Sequence, residues 1–315
     1  MAIATETAPS AFGSVSGARK FKNNLATVLV TACLLVALIP LVWLLWTVVS
    51  KGLKDVLKSE WWTSDQHNSR DWRVPGGGAL HAIVGTVEQV ALCSVISIPI
   101  GVLAAVYLVE YGRGRLRSTV TFMVDILTGV PSIVAALFIY AVFIIEFGAN
   151  FAGVYASLAL VLLMIPVIVR TTEEMLKLVP NELREASYAL GVPKWKTIVK
   201  IVLPTAFSGI LTGVVLGIAR VAGETAPLLI LVHYSATTNS NLLSGDQASL
   251  PLAIFDQFPN SSNQGSTENP FTHVKQITNN YASGRMWGFA LTLILLVMLL
   301  NLIARLIARR SKVTN

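Results

Sequence analysis

Six long apolar runs constrain the fold of this chain more than any other feature. The first, residues 25–49, reads LATVLVTACLLVALIPLVWLLWTVV and contains no charged residue. A helix rises about 1.5 Å per residue, so about 20 apolar residues are needed to cross the roughly 30 Å hydrocarbon core of a bilayer. Comparable runs cover residues 81–110, 118–145, 152–172, 205–232 and 286–306. The sequence therefore predicts an all-α polytopic membrane protein with six transmembrane helices.

The composition agrees with a membrane protein and excludes an ordinary soluble domain. Of the 315 residues, 54% are apolar and only 13% are charged, whereas soluble domains carry about 25% charged residues. The net charge of +7 is typical of membrane-protein loops that obey the positive-inside rule, which is a simpler explanation than nucleic-acid binding.

The basic residues set the predicted orientation of the spans. With a cytoplasmic N-terminus, 16 of the 24 lysines and arginines lie in cytoplasmic segments, seven lie in outer segments, and Arg220 lies within the fifth span. The reverse orientation would place the larger group outside, against the positive-inside rule. Both termini are therefore predicted to be cytoplasmic.

The segments outside the spans have predicted roles of their own. Residues 1–24 are rich in small and polar residues and are expected to be a disordered cytoplasmic tail, and residues 307–315 a second tail. In the outer loop 50–80, apolar residues recur at helical spacing before Trp61, which favours an interfacial helix. The outer loop 233–285 is long and polar, and is expected to be either a docking surface or an ordered cap.

The segment 173–204, between spans four and five, interrupts the apolar sequence with many charges. Pro180 and Pro193 suit the first turn of a helix, and Gly191 suits the left-handed residue that ends one. These signals predict two short amphipathic helices on the cytoplasmic side, which either lie on the membrane surface or dock into a cytoplasmic partner. Their apolar residues recur at helical spacing, namely Leu183, Ala186 and Leu190, then Trp195, Ile198, Val199 and Val202.

This segment resembles the EAA loop of ABC-importer permeases with the MetI-like fold. The single departure from the motif is Ser187, where alanine is usual. The resemblance implies that the two helices are coupling helices that dock into a dimeric ATP-binding subunit. The matching residues are Glu185, Ala186, Ser187, Gly191, Ile201, Leu203 and Pro204.

The likeness extends over most of spans two to six, so residues 81–310 are expected to form the permease domain. The stretches ILTGVPSIVAALF, IPVIVRTTEEMLKLVP and ARVAGETAPLL are similar to the phosphate-specific branch of these permeases. The resemblance implies an ATP-driven importer of inorganic phosphate in a bacterial plasma membrane. A second, similar permease subunit and an extracytoplasmic phosphate-binding protein are then the expected partners.

Two other functions stay open at this point. The first is a permease of the same fold for another oxyanion, such as sulfate or molybdate. The second is a standalone secondary transporter or channel, which would be expected to show internal repeat symmetry; the sequence shows no convincing repeat.

The chain is not expected to be an enzyme or to hold a cofactor. It has no GxxxxGK[ST] phosphate-binding loop, so ATP and Mg²⁺ are expected on the partner ATPase subunit. No metal site is expected either, because metal ligands converge, whereas the four histidines are scattered along the outer side: His67, His81, His233 and His273.

Charges within the spans are the candidates for a substrate path, because a charge in the membrane is costly and usually faces a polar interior. Gly209, Gly213 and Gly217 form a stripe that lets another helix approach span five closely. Arg220 and Glu224 fall within about 60° of this stripe and are expected to point into the bundle.

Two arginine–glutamate couples are therefore predicted. Arg220 and Glu224 are four residues apart, and Arg170 and Glu173 are three apart, so each couple can pair along a helix. A guanidinium binds phosphate through two parallel hydrogen bonds, so both couples are candidates for an anion path. A structural ion pair is the alternative for each, and Arg170 also suits the cytoplasmic flank of its span. The family resemblance favours the path.

Two further acids, Glu88 and Asp125, lie within spans two and three, and the sequence assigns neither a partner. Pro131 and Pro166 lie within spans three and four. Since proline breaks the hydrogen-bond ladder of a helix, both are expected to produce kinks.

Overall fold

The computed structural model describes residues 17–71, 73–261, 265–268, 275–278 and 280–312. The chain forms two compact units, Met1–Val49 and Ser50–Asn315. Within the described residues, the helices long and apolar enough to cross a membrane are Gly17–Val56, Leu80–Tyr111, Gly153–Lys177, Lys194–Ala222 and Tyr281–Ile303. A bent helix pair supplies a sixth span if it is counted as one.

The regular secondary structure of the described residues is helical with one exception, which confirms the predicted all-α class. The exception is an antiparallel hairpin of strands β1 (Gly265–Glu268) and β2 (Lys275–Thr278), with Gly265 opposite Thr278. The helices in chain order are α1 (Gly17–Val56), α2 (Ser59–Thr63), α3 (Leu80–Val106), α4 (Gly114–Gly129), α5 (Ser132–Ile139), α6 (Gly153–Lys177), α7 (Asn181–Ala189), α8 (Lys194–Thr197), α9 (Leu203–Ala222), α10 (Ala226–Leu231), α11 (Leu250–Gln257) and α12 (Tyr281–Lys312).

Wider, π-helical turns extend three of these helices. Tyr107–Tyr111 continues α3, Tyr140–Glu146 continues α5, and Ile198–Val202 joins α8 to α9. A π-helical turn inserts one extra residue into the hydrogen-bond ladder and is often found at functional sites.

The terminal helices extend into both predicted tails. Residues 17–24 belong to α1, so the predicted disorder is wrong for them; residues 1–16 lie outside the described part of the chain. Residues 307–312 likewise belong to α12, and residues 313–315 are not described. Both stretches contain arginine and lysine, which are good helix formers, and each continues a long helix.

An interfacial helix was predicted in the outer loop 50–80, with Trp61 at the membrane surface. Both the extent of that helix and the position of Trp61 are wrong. The helix α1 continues through Gly52 to Val56, and only α2 is a separate helix. Trp61 is buried, with its ring 5.0 Å from that of Phe289 and its Nε1 donating to Thr292 at 2.9 Å. Gly288 makes room for the indole, because a Cβ there would lie 2.7 Å from it.

The predicted third span is sharply bent in the structure. Its two halves, α4 and α5 with the turn that follows, meet at an angle of 106°. The bend lies at Val130 and Pro131, where Val130 adopts an extended conformation. Proline disfavours helical geometry in the residue before it and donates no backbone hydrogen bond, so the helix ends there.

The predicted fifth span, residues 205–232, is not one helix but the end of a longer helix followed by a short one. Its helix begins before the span, because α8, the π-helical turn and α9 form one continuous helix from Lys194 to Ala222. The helix then ends at Ala222, and residues 223–225 separate it from α10. Pro204 does not interrupt the helix, because it follows the wider turn Ile198–Val202, where the regular ladder is already broken.

The long outer segment 233–285 contains α11 and the hairpin. Ser249 caps α11 by accepting a hydrogen bond from the backbone N–H of Leu252. Ahead of this cap, Gln247 is completely buried between α3 and α6. Two glycines make its insertion possible, since a Cβ at Gly85 or Gly153 would lie within about 2 Å of the inserted chain.

Candidate functional site

Three glycines on α9 bring it into close contact with α6. A Cβ at Gly209 would lie 2.2 Å from Met175, and one at Gly213 would lie 2.3 Å from Thr171. At Gly217 the nearest side-chain atoms are 3.6 Å away. The two helices therefore touch most closely near Gly209 and Gly213, as predicted for a small-residue stripe, and separate towards the end of α9.

Arg220 lies beyond this close contact and is exposed, with 52% of its side chain accessible. The prediction that it points into the bundle is wrong, because the neighbouring helix has already moved away at this level. Glu224 lies past the last residue of α9, and its Oε1 is 3.9 Å from Nε of Arg220. That distance is too long for a hydrogen bond. In the described part of the chain, no hydrogen bond holds the Arg220 guanidinium.

Arg170 is in a different electrostatic environment. Its Nη1 donates to Glu173 at 2.9 Å, and its Nη2 forms an ion pair with Asp125 on α4. Glu173 is nearly buried and also accepts a hydrogen bond from Lys177 at 2.8 Å. Two arginine–glutamate couples were predicted, but Arg170 belongs to a larger charge cluster that ties α4 to α6.

The two arginines lie at different levels of the bundle. The helices α6 and α9 run antiparallel, and Thr171, next to Arg170, packs on Gly213. Arg220 lies seven residues after Gly213, which is a distance of about 10 Å along the helix axis. No hydrogen bond or ion pair joins the two couples among the described residues.

The predicted coupling loop contains two helices that meet at Gly191. Its φ is +75°, which confirms the predicted left-handed residue at the end of α7. Glu185 and Ala186 are exposed on α7, whereas Ser187 is buried and its hydroxyl lies 2.8 Å from that of Thr197 on α8. This hydrogen bond satisfies the buried hydroxyl and explains how serine is accommodated at a position where alanine is usual.

The remaining motif residues lie at the junction of α8 and α9. Ile201 is in the π-helical turn, Leu203 begins α9 and is partly buried, and Pro204 is exposed. They therefore connect the coupling loop directly to the helix that carries Arg220 at its far end.

The apolar stripes of the coupling loop are largely exposed. Ile198 and Val202 face the core, but the other stripe residues do not. Large apolar side chains grouped on a surface indicate a contact with another molecule or with lipid. The exposed ones are Leu183, Tyr188, Leu190, Trp195 and Val199.

A buried ion pair anchors the coupling loop to the end of α3, and sequence analysis did not identify it. Arg184 donates to Glu110 at 3.1 Å, and both side chains are largely buried. Its guanidinium also donates to the backbone carbonyls of Leu176 and Val179, at 2.9 and 2.6 Å. Lys194 of α8 donates to the backbone carbonyl of Glu110. The end of α3 thus holds both coupling helices.

The second membrane acid, Glu88, has a partner in the outer segment. Its Oε2 accepts a hydrogen bond of 2.7 Å from the buried amide of Gln247, which in turn accepts one of 2.9 Å from Gln89. These bonds hold the inserted outer segment against α3.

The described histidines form no metal site. No group of three or more histidine, cysteine or acidic residues capable of holding a metal occurs in the described residues, and His273 lies outside them. His81 lies 3.0 Å from the hydroxyl of Tyr234, which donates to Gln66 at 2.7 Å. Burial raises the pKa of the Tyr234 hydroxyl, so this phenol stays protonated as a hydrogen-bond donor.

The sequence profile described as "Binding-protein-dependent transport system inner membrane component" matches residues 97–313. The chain belongs to this family. It is 48% identical over 299 residues to "Phosphate transport system permease protein PstA 1" of Mycobacterium tuberculosis (strain CDC 1551 / Oshkosh), covering 95% of this chain and 92% of that protein. It is 40% identical over 298 residues to PstA of Yersinia pestis, covering 93% and 92%.

Within the binding-protein-dependent family, the chain belongs with the PstA permeases. It is therefore a permease component and a multi-pass membrane protein. The inward-facing MetNI methionine ABC transporter has a similar fold, with a TM-score of 0.53 and 20% identity over 74% of this chain and 94% of that one. This likeness confirms the predicted MetI-like fold. The family match includes both arginine–glutamate couples and the whole coupling loop.

We expect Glu110→Gln to loosen the coupling loop of this PstA permease. The change removes the charge that neutralises the buried Arg184, and a hydrogen bond between charged groups contributes about 1.5–3 kcal/mol. Hydrogen exchange of the amides in α7 should be at least about tenfold faster than in the native protein. The control is Glu182→Gln, which neutralises an exposed acid on α7 itself. Equal exchange in the two variants would show that the ion pair does not anchor the loop.

We expect Gly191→Val to separate ATP hydrolysis from transport or to prevent docking of the ATPase. No atom would obstruct the added Cβ, but a β-branched residue at this positive φ costs about 1–3 kcal/mol, which changes the angle between α7 and α8. Gly148→Val is a matched control, with φ of +64° and equally open surroundings. ATPase activity and uptake are measured in the assembled transporter. Normal coupling in the Gly191 variant would contradict a transmitting role for this loop.

Proposed function

We propose that this chain is the membrane permease subunit of an ATP-driven importer of inorganic phosphate. The observation that carries the proposal is the Arg220 guanidinium, which is half-exposed and held by no hydrogen bond among the described residues. A planar guanidinium donates two parallel hydrogen bonds to a phosphate and does not lose its charge. The similar PstA proteins are named for phosphate transport, which supports phosphate as the anion.

A second permease of the PstC type completes the path. An exposed charge within a membrane protein requires a polar or charged environment. In this proposal Arg220 faces the partner permease across a pseudo-two-fold axis, and the phosphate passes between the two subunits. An extracytoplasmic phosphate-binding protein delivers the ion to the side of the outer loop 233–285.

The two arginines then have different tasks. Arg220, with Glu224 at 3.9 Å, attracts the anion while a nearby carboxylate limits how tightly it is held. Arg170 is already neutralised by Asp125 and Glu173, so phosphate has to displace a carboxylate to bind it. The charge cluster around Arg170 is therefore a second, weaker binding site for phosphate. It lies nearer the coupling loop and releases the ion readily.

The coupling loop docks into a dimeric ATP-binding subunit. Its exposed apolar residues, including Leu190 and Trp195, provide the surface, and the continuous helix Lys194–Ala222 connects that surface to Arg220. In this proposal the loop and both termini lie in the cytoplasm of a bacterial cell. ATP and Mg²⁺ bind to the partner subunit, and this chain needs no cofactor of its own.

Uptake of labelled phosphate by the reconstituted complex tests the proposal. Proteoliposomes are prepared with both permeases and the ATPase in the membrane and with the binding protein outside. They should accumulate phosphate only when ATP is present in the lumen, which corresponds to the cytoplasm. Arsenate should compete, whereas sulfate and molybdate should not. Competition by sulfate or molybdate would assign the permease to another oxyanion, and uptake by this chain alone without ATP would indicate a standalone transporter.

We expect Arg220→Gln to abolish phosphate uptake while leaving assembly and ATP binding intact. The substitution removes a charge-assisted interaction with the anion of up to about 3 kcal/mol, which corresponds to a loss of up to about 160-fold in rate. The double variant Arg220→Gln/Glu224→Gln separates this role from a structural ion pair. If the double variant assembles and transports well, the arginine serves only to balance Glu224, and the proposed path is wrong.

A further inference from the structure

A cationic cavity lies apart from the anion path and the coupling loop. It has a volume of about 770 Å³ and opens beside the end of α1 and the start of α12. Four cations against two carboxylates leave a surplus of two positive charges. The charged lining residues are Lys51, Lys54, Lys58, Arg285, Asp55 and Glu60.

Arg285 forms a fixed wall of the cavity. It is buried, and its guanidinium donates to the backbone carbonyls of Asp71 and Val74 at 2.9 and 3.0 Å. It also donates to the side chain of Gln257 at 3.1 Å. No carboxylate forms an ion pair with Arg285 among the described residues, so its charge contributes to the positive potential of the cavity.

The three lysines differ in how firmly they are held. Lys58 forms an ion pair of 2.5 Å with Asp55, and the ammonium of Lys51 lies 5.1 Å from the centre of the Trp287 ring. Lys54 has no hydrogen-bond or ion-pair partner in the described part of the chain. Lys51 and Lys54 are therefore available to bind an anion without breaking an existing ion pair.

The cavity is lined by residues of the last turns of α1 and the first turn of α12. The apolar run of α1 ends just before Lys51, and α12 begins at Tyr281. Tryptophan is enriched at the level of lipid headgroups, and Trp287 lies in the first turns of α12 beside Lys51 of the cavity. A site at this level is accessible to lipid phosphates.

We propose that this cavity binds a phosphoryl anion, and that its source is the headgroup of an anionic phospholipid. Lysine ammonium groups bind phosphate as point charges. The volume is typical of sites for molecules larger than a single ion, and the partly exposed Trp287 suits the glycerol and acyl region. A free phosphate ion has the same chemistry and is the alternative source.

The test measures lipid binding to the delipidated full-length chain by native mass spectrometry. The native chain should bind phosphatidylglycerol in preference to phosphatidylcholine. Lys51→Gln/Lys54→Gln should weaken that binding about 30-fold, which corresponds to about 1 kcal/mol for each lysine. The control Arg113→Gln/Arg115→Gln removes the same charge at exposed positions elsewhere and should leave it unchanged. Thermal unfolding without lipid shows that both variants are folded.

The result with inorganic phosphate distinguishes the two sources. If phosphate at millimolar concentration displaces the lipid from the native chain, and fails to bind the Lys51/Lys54 variant, the phosphoryl site is supported with a free ion as a second ligand. Equal lipid binding by the variant and the control overturns the proposal. Loss of binding-protein association in the variant, with no lipid or phosphate effect, would identify the cavity as a protein docking surface and also overturn it.

Discussion

The contact between α6 and α9 sets the geometry on which the proposed transport path depends. Gly213 lies so close to Thr171 that any side chain would clash, so α9 can adopt this position only with a small residue there. The contact holds Arg170 level with Gly213. Because the helices separate beyond it, Arg220 is left open. One packing interaction thus determines which arginine is enclosed by carboxylates and which is free to meet an anion.

The same helix connects the path to the coupling loop. The helix is continuous from Lys194 to Ala222, through the wider turn Ile198–Val202. A displacement at α8 is therefore carried over about 39 Å to Arg220. The anchoring of both coupling helices at Glu110 gives this rod a fixed neighbour at the end of α3. In the proposed importer, the ATPase moves a rigid lever rather than a flexible loop.

Sequence predicted the features that depend on local pattern. The apolar runs predicted the all-α class, and the two flanking helices predicted a left-handed conformation at Gly191, which the structure has. The glycine stripe also predicted close helix packing. Pro131 predicted a kink in the third span, but not one of 106°, because the angle depends on what the second half packs against.

The features that the sequence did not predict are contacts between residues far apart in the chain. Arg184 and Glu110 are 74 residues apart, and Arg170 and Asp125 are 45 apart, so no helical spacing indicates either pair. For the same reason, the sequence identifies Arg184 only as one of the basic residues of the segment 173–204. The exposure of Arg220 was missed because ideal helical angles place it with the glycines, whereas the divergence of two crossing helices is a property of the packed structure.

Phosphate transport in this proposal depends on a positive charge at position 220, and chemical restoration of that charge is the most direct test. In a complex whose permease carries Arg220→Cys and lacks its two native cysteines, phosphate uptake is measured before and after thiol modification. A cationic aminoethyl reagent and a neutral reagent of the same size are compared. We expect that only the cationic reagent restores uptake, because only it returns a positive charge to position 220. Equal uptake after both reagents, or full uptake before modification, would contradict it.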